Sequence, residues 1–216
     1  MKTLVVDVVS DIVCPWCYVG VKSFLAARDA LKDEFEIAAR FRPYQLNPDL
    51  PAAGVDRHAH YVRKFPDAAK LAAAREAIRA NARASGFDFD PAAPPHLPNT
   101  LKAHQLIAAA GARGAQTELT LALYEAFWDR LADIGDDETL AAIGAGVGLD
   151  REDTLAALAG TGPAVAAEAD AWRRAGVSGV PTFIVGERTG FSGGMPPASM
   201  TEALKEAARR NEGTLA

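Results

Sequence analysis

Apolar and polar residues at the amino-terminal end follow the order strand, helix, strand. Residues 4–9 are a β-branched apolar run, which indicates a buried strand. A helix is predicted over about residues 14–32, and the alternation of residues 35–41 predicts a second strand. The proline-rich segment 42–51 ends that strand, so the predicted unit is β-α-β.

The middle of the chain, residues 57–175, has the periodicity of alanine-rich helices. Glycines and the proline-rich loop 91–98 interrupt this pattern. The clearest helix has an apolar stripe at helical spacing, formed by Leu119, Ala122, Leu123, Ala126 and Phe127. This region is therefore predicted to be an insertion made of helices.

The carboxyl-terminal end returns to strands. Residues 181–185 and 190–193 predict two short strands joined by a turn at 186–188, and a helix over about residues 197–210 closes the chain. The predicted fold class is therefore α/β, a thioredoxin fold (β-α-β … β-β-α) with a large all-helical insertion. Its predicted domains are a thioredoxin-like domain, residues 1–50 and 176–216, and a helical insertion, residues 51–175.

Charge and composition exclude several classes of protein. The chain of 216 residues has a net charge of −5 and no basic run longer than two residues, which argues against a nucleic-acid surface. No stretch approaches the roughly 18 to 20 apolar residues of a membrane span, so no membrane partner is predicted. Asp7 interrupts the first apolar run before it reaches the length of a secretory signal. We therefore expect a cytoplasmic protein.

Both cysteines of the chain lie in one short motif, Cys14-Pro15-Trp16-Cys17. A loop this short removes little entropy from the unfolded chain, so the pair is not a structural staple. At a helix start both sulfurs face one side, and the unpaired N–H groups of the first turn favour a thiolate. The thiolate is the species that attacks a disulfide, so we assign Cys14 as the nucleophile. Cys17, one turn further, is the resolving cysteine.

Neighbouring residues shape this candidate active site. Pro15 lacks an N–H group and helps to start the helix. Trp16 is expected to be partly exposed and to offer an apolar contact to a substrate. Far along the chain, Pro181 opens a strand after the segment 176–180, and its peptide bond is a candidate for the cis form.

Other interpretations of these motifs stay open. A zinc site needs four ligands, whereas the pair supplies two and the four histidines have no recognisable spacing, so no metal is predicted. Two inert buried thiols are a second alternative. The motif Gly190-x-Ser192-x-Gly194 matches the nucleophile elbow of serine hydrolases, but no histidine follows His104. We interpret Ser192 as the end of a strand that approaches the active site.

Six segments carry a further signal: Ser10-Asp11-x-x-Cys14-Pro15-Trp16-Cys17-Tyr18-x-Gly20, Phe41-Arg42-Pro43-Tyr44-Gln45-Leu46-Asn47-Pro48, Asn99-Thr100-Leu101-Lys102-Ala103-His104, Asp133-Ile134-Gly135-Asp136, Gly179-Val180-Pro181-Thr182 and Ser192-Gly193-Gly194-Met195-Pro196. Together they resemble the DsbA family of thiol-disulfide oxidoreductases, in its FrnE-like branch. The resemblance implies an active cysteine pair faced by a cis-Pro181, and a Val180 backbone that pairs with a bound peptide as an added strand. It also implies exchange with disulfide-containing proteins or small thiols. No bound cofactor is expected, and glutathione or another thiol is a candidate co-substrate.

Three polar residues are further candidates. The acidic residue that periplasmic relatives carry six positions before the first cysteine is Val8 here, so Asp11 is the substitute candidate for a proton relay. The alternative is an exposed carboxylate on the approach to the helix. Asn99 and His104 are candidates for the wall of a substrate cleft, with a helix cap and a surface histidine as the alternatives.

Two competing functions differ from disulfide exchange. Kappa-class glutathione transferases and 2-hydroxychromene-2-carboxylate isomerases share the topology, but they place a serine at Cys14 and tend to have a Ser-Asp pair where this chain has Gly193-Gly194-Met195. A non-enzymatic module would instead bind peptides with Trp16 and the loop 91–98. We favour disulfide exchange, and in a reducing cytoplasm we expect the pair to rest as a dithiol. The sequence carries no signal of oligomeric state.

Overall fold

The computed structural model describes residues 2–213, so residue 1 and residues 214–216 of the predicted thioredoxin-like domain lie outside the described part. Along the chain its elements are β1 (Lys2–Ser10), α1 (Pro15–Ala30), β2 (Phe35–Pro43), β3 (Val55–Asp56), α2 (Arg57–Lys64), α3 (Ala68–Ala84), β4 (His96–Leu97), α4 (Leu101–Gly111), α5 (Gln116–Trp128), α6 (Asp137–Gly146), α7 (Arg151–Gly160), α8 (Gly162–Arg174), β5 (Thr182–Val185), β6 (Thr189–Ser192) and α9 (Pro197–Gly213).

A four-stranded sheet in the order β2-β1-β5-β6 forms the centre of the fold. β1 pairs in parallel with β2 and antiparallel with β5, and β5 pairs antiparallel with β6. Val8 and Val9 are both fully buried on β1. Because neighbouring side chains of a strand point to opposite faces, helices cover both faces of the sheet here.

The order of elements confirms the predicted thioredoxin fold with a helical insertion. α1 packs against α9, whereas α4 and α8 pack against β2. The prediction that the insertion is all-helical is wrong in one respect, because the insertion contains a short antiparallel ladder in which Val55 of β3 pairs with Leu97 of β4. The domain limits at residues 50 and 175 stay a prediction. Among residues 2–213, no helix is both long and apolar enough to cross a membrane.

The predicted elements of the thioredoxin-like part lie within three residues of those in the structure. α1 is two residues shorter than predicted at its carboxyl-terminal end, and it begins after Cys14 because that residue has extended backbone angles. β1 delivers the chain to the turn 11–13 directly before Cys14. In the neighbouring strand, Thr182 pairs with Val9 near the end of β1, which brings Pro181 to the same edge.

Candidate active site

Cys14 lies at the amino-terminal end of α1 as its N-cap residue. Its carbonyl accepts hydrogen bonds from the N–H groups of Cys17 and Tyr18 at 3.0 and 3.2 Å. Pro15 is the first helical residue and has no N–H group to pair. The positive end of the helix dipole is therefore next to the Cys14 sulfur, where it stabilises a thiolate.

Cys17 is fully buried behind Cys14. Burial raises the pKa of the Cys17 thiol well above its usual value, and the hydrogen bond and charge of Cys14 raise it further. A backbone hydrogen bond from Asp11 acts in the opposite direction. Both cysteines are free thiols. Both cysteines are buried, but Cys14, which is 5% exposed, borders a cleft, whereas Cys17 is fully shielded from solvent.

The loop before β5 lies against the cysteine pair. The peptide bond between Val180 and Pro181 is cis. The Cys14 thiol donates to the Val180 carbonyl across 3.7 Å. Residues 166 positions apart in the chain therefore meet at one site.

Two glycines allow α1 and its neighbours to approach closely. A Cβ at Gly20 would lie 2.7 Å from Cγ of Pro181. A Cβ at Gly194, which follows β6, would lie 2.7 Å from the backbone oxygen of Trp16. A side chain at either position would push α1 away from the elements that face it. The sequence pattern marks neither glycine as a site residue, although both occur in the segments that resemble the family.

Ser192 ends β6 beside the same loop. The Thr182 hydroxyl donates to the Gly179 carbonyl at 2.7 Å, so in the 2.6 Å pair between the two hydroxyls Ser192 donates to Thr182. These two hydrogen bonds connect the end of β6 to the start of β5 and to Gly179 in the loop before it. Because Ser192 lies in a strand and not at a strand-to-helix turn, the geometry of a nucleophile elbow is not formed.

Asp11 is fully buried, so the interpretation of an exposed carboxylate is wrong. Its Oδ2 accepts a hydrogen bond from the N–H group of Leu46 at 2.8 Å, and its Oδ1 lies 3.3 Å from Nε2 of His104. The burial arises because α4 and the segment after β2 cover the turn 11–13. A buried carboxylate is stable only when it is hydrogen-bonded in this way.

His104 is 2% exposed, so the interpretation of a surface histidine is also wrong. Its Nε2 lies 3.1 Å from the carbonyl oxygen of Tyr44. Since a carbonyl only accepts, Nε2 carries a proton, which it shares between Tyr44 and Asp11.

Asn99 acts at the start of α4, as the helix-cap alternative predicts. Its Oδ1 accepts hydrogen bonds from the N–H group of Leu101 and from Nε2 of Gln45, both at 3.0 Å. Neither Asn99 nor His104 is among the residues that line the cleft next to Cys14. The structure places His104 behind the cysteine pair, against Asp11, and Asn99 between α4 and the segment after β2.

Two aromatic residues of α5 hold the turn that precedes Cys14. Nε1 of Trp128 donates to the Ile12 carbonyl at 2.9 Å, and the Tyr124 hydroxyl donates to the Asp11 carbonyl at 3.3 Å. Both aromatic side chains are buried. Their periodicity indicates burial in a helix, but no signal in the sequence indicates that they bind this turn.

A cleft of about 640 Å³ opens beside Cys14. Pro15 and Trp16, both half-buried, form one wall with Cys14. The opposite wall consists of side chains from α2, α3 and the segment between them. Leu46 and Phe65 add exposed apolar surface. Among residues 2–213, no three side chains of the metal-binding types cluster as a metal site would require.

A family comparison agrees with this geometry. Residues 5–205 match the model of the DSBA-like thioredoxin domain. The chain belongs to this DsbA-like family. The match covers the β-α-β unit, the helical insertion and the return to β5 and β6, so it includes both cysteines and Pro181.

Similar proteins span nearly the same length as this DsbA-like chain. The uncharacterised protein YwbO of Bacillus subtilis (strain 168) is 29% identical over 189 residues, which are 86% of this chain and 88% of that protein. A probable DsbA oxidoreductase from Streptomyces coelicolor has a TM-score of 0.80 and 29% identity, and the match covers 94% of this chain and 89% of that chain. The cytosolic disulfide reductase DsbM from Pseudomonas aeruginosa, solved with GSH, has a TM-score of 0.68. It is 19% identical over 95% of this chain and 99% of its own, which shows a shared fold.

Proposed function

We propose that this DsbA-like protein exchanges disulfides with protein substrates through Cys14 and Cys17, and that it reduces them in the cytoplasm. The observation that carries the proposal is the division between the two sulfurs. Cys14 caps a helix and borders a cleft, whereas Cys17 is a fully buried thiol directly behind it. Although Cys14 is only 5% exposed, it borders the cleft, and a nucleophile at a cleft followed by a protected resolving thiol is what two-step exchange requires.

The reaction proceeds through one mixed disulfide. The Cys14 thiolate attacks a substrate disulfide, forms a bond to one substrate sulfur and releases the other as a thiolate, which takes a proton from solvent. Cys17 then attacks Cys14, the Cys14–Cys17 bond forms, and the second substrate sulfur leaves. Two electrons have passed from the dithiol to the substrate. Two molecules of a small thiol such as glutathione restore the dithiol and become a disulfide, so no bound cofactor is needed.

Asp11 is proposed to receive the proton that Cys17 loses in the second step. Its backbone hydrogen-bonds Cys17, and the charge of its carboxylate raises the pKa of that thiol. The proton on Nε2 of His104 faces Oδ1 of the Asp11 carboxylate and stabilises its negative charge. A buried carboxylate that comes within hydrogen-bond reach of Cys17 would act as a general base for a thiol that solvent does not reach.

Replacing Asp11 by asparagine tests this role. Asp11→Asn keeps an oxygen for the N–H group of Leu46 but removes the base, so the mixed disulfide should resolve at least about tenfold more slowly at neutral pH. The difference in resolution rate between the natural protein and Asp11→Asn should become smaller at alkaline pH, where Cys17 loses its proton to hydroxide and needs no general base. Asp33→Asn, which removes an exposed carboxylate after α1, is the matched control. Resolution at the same rate in Asp11→Asn and Asp33→Asn would remove Asp11 from the mechanism.

Substrate contacts are proposed at two places. An extended peptide would pair with the backbone of Val180, whose carbonyl already accepts from the Cys14 thiol. Trp16 would add an apolar contact. The competing glutathione-dependent isomerase or transferase is less well supported, because its relatives have a serine where Cys14 stands and the second thiol would have no use.

Dithiothreitol-driven reduction of insulin by the purified protein tests the proposed function. We expect turnover by the natural protein and loss of turnover in both Cys14→Ser and Cys17→Ser. A binding module would give no turnover but would retain insulin binding in Cys14→Ser. Insulin reduction that survives Cys14→Ser would contradict the redox assignment.

A further inference from the structure

The cleft beside Cys14 has a charge opposite to that of the whole chain. Four of its lining residues are cationic, Arg57, Lys64, Lys70 and Arg75, and one is acidic, Asp67. The chain as a whole has a net charge of −5. A concentration of one sign of charge in a concave surface raises the local concentration of ligands of the other sign.

Most of these positive charges are not neutralised by the protein. Lys70 forms an ion pair with Asp67 at 3.6 Å, and Lys64 donates to the side-chain oxygen of Asn47. Among the described residues, no carboxylate lies within ion-pair distance of Arg57, Lys64 or Arg75.

Arg57 is the innermost of the four cations. It is 3% exposed, lies over the rings of Tyr61 and Trp128, and donates at 2.7 Å to the Pro91 carbonyl. Burial lowers the pKa of Arg57, Tyr61 and Asp90 raise it, and the positive charge of Arg75 lowers it. Arg57 and Arg75 line the same cleft, so an anion that binds in it interacts favourably with both positive charges.

The cleft also has an apolar part. Leu46 and Phe65 are two of the exposed large apolar residues of the described chain, and both line it together with Leu71 and Ile78. A ligand that is only polar would leave this surface uncovered. A polypeptide segment supplies apolar side chains and carboxylates together.

We propose that the preferred substrates are cysteine-containing polypeptide segments with an apolar residue next to the cysteine and acidic residues nearby. This proposal rests on the proposed disulfide exchange and adds a substrate class to it. The apolar side chain covers Leu46 and Phe65, and the carboxylates approach Lys70 and Arg75. Small anionic disulfides share the charge but lack the apolar side chain.

Three peptides of equal length test the proposal. Each has one cysteine, blocked as its disulfide with 2-mercaptoethanol, and one adjacent leucine. Three flanking positions are glutamate, glutamine or lysine. The pre-reduced protein reacts with each peptide in a single turnover, at about 10 mM and about 1 M salt, where the Debye length is about 30 Å and about 3 Å.

We expect the glutamate peptide to react about tenfold faster than the glutamine peptide at low salt, and the lysine peptide to react most slowly. The preference should nearly disappear at high salt. In the double variant Lys70→Gln/Arg75→Gln the ratio of the glutamate-peptide rate to the glutamine-peptide rate at low salt should fall several-fold. The matched control is Arg188→Gln, which removes an exposed charge from the turn after β5, toward the opposite end of β1, and should leave the ratio unchanged.

Equal rates for the glutamate and glutamine peptides at low salt would overturn the proposal. An equal loss of preference in Arg188→Gln would overturn it too, because the effect would then come from total charge. Glutathione disulfide tests the small anionic alternative: a salt-dependent rate for it, with no preference among the peptides, would also refute a polypeptide substrate. The neutral hydroxyethyl disulfide separates failure of the substrate preference from failure of disulfide exchange. If the natural protein does not reduce this neutral disulfide, disulfide exchange itself is refuted.

Discussion

Replacing Gly20 by alanine tests whether close approach of α1 to the Pro181 loop holds the site together. In an open helical position this change stabilises a protein by about 1 kcal/mol, because alanine is the better helix former. At Gly20 the added Cβ would lie 2.7 Å from Cγ of Pro181 and 3.5 Å from Phe183. Inserting a methyl group into such a packed site costs about 1–3 kcal/mol. The net effect expected is a loss of about 1 kcal/mol.

The matched control is Gly146→Ala at the exposed end of α6, where a Cβ would meet no atom within 4 Å. This variant should be up to about 1 kcal/mol more stable than the natural protein. The two variants should therefore differ by about 2 kcal/mol, or about 4–8 °C in melting temperature for a chain of this size. Thermal unfolding and insulin reduction are measured for both, and Gly20→Ala should also lose activity. A Gly20→Ala protein that is as stable and as active as Gly146→Ala would refute the reasoning.

Two further predictions concern stability. Burial raises the pKa of Cys17 and of Tyr124, so the folded state keeps both neutral while the unfolded chain ionises above about pH 9 and 10. Stability that is complete below those values should fall as pH rises further, by up to about 1.4 kcal/mol per pH unit for each group. Urea unfolding between pH 8 and 11 measures this fall in the free energy of unfolding. In Tyr124→Phe the free energy of unfolding should fall less steeply with pH. A free energy of unfolding that does not change with pH in the natural protein would contradict the prediction. Trp128→Phe leaves the Ile12 carbonyl without its donor and should cost about 1–3 kcal/mol in urea unfolding. A loss below about 0.5 kcal/mol would show that this hydrogen bond is dispensable.

The cysteine pair and its helix were predictable because their signals are local. A β-branched run, a proline at the first helical turn and two cysteines three positions apart lie within residues 4–17. Pro181 was recognisable from its place at the start of a strand as a candidate cis-proline, but its position facing Cys14 was implied by the family resemblance, since nothing near it in the chain indicates a contact with Cys14. The sheet register that joins them depends on pairing between β1 and β5.

The surroundings of Asp11 and His104 were not predictable from local pattern. Each residue is polar, and polar residues are exposed by default. Their burial depends on a contact between residues 93 positions apart, which forms when α4 packs behind the turn 11–13. The apolar neighbours Ile12 and Val13 are the only local indication that this turn is covered.

The charge of the cleft was hidden for a similar reason. In the sequence, lysine and arginine are scattered, with no basic run longer than two residues. In the folded chain, α2 and α3 line one cleft with Cys14 and bring four of these cations into it. Net charge argues against a nucleic-acid surface but carries no information on this smaller region.

The central claim is that Cys14 attacks and Cys17 resolves. Its most direct test is mass spectrometry of Cys17→Ser after incubation with an oxidised protein substrate such as insulin. A mixed disulfide joined through Cys14 should accumulate in Cys17→Ser, should be absent from the double variant Cys14→Ser/Cys17→Ser, and should be brief in the natural protein. If Cys17→Ser captures no substrate through Cys14, while the natural protein still reduces insulin, the account is contradicted.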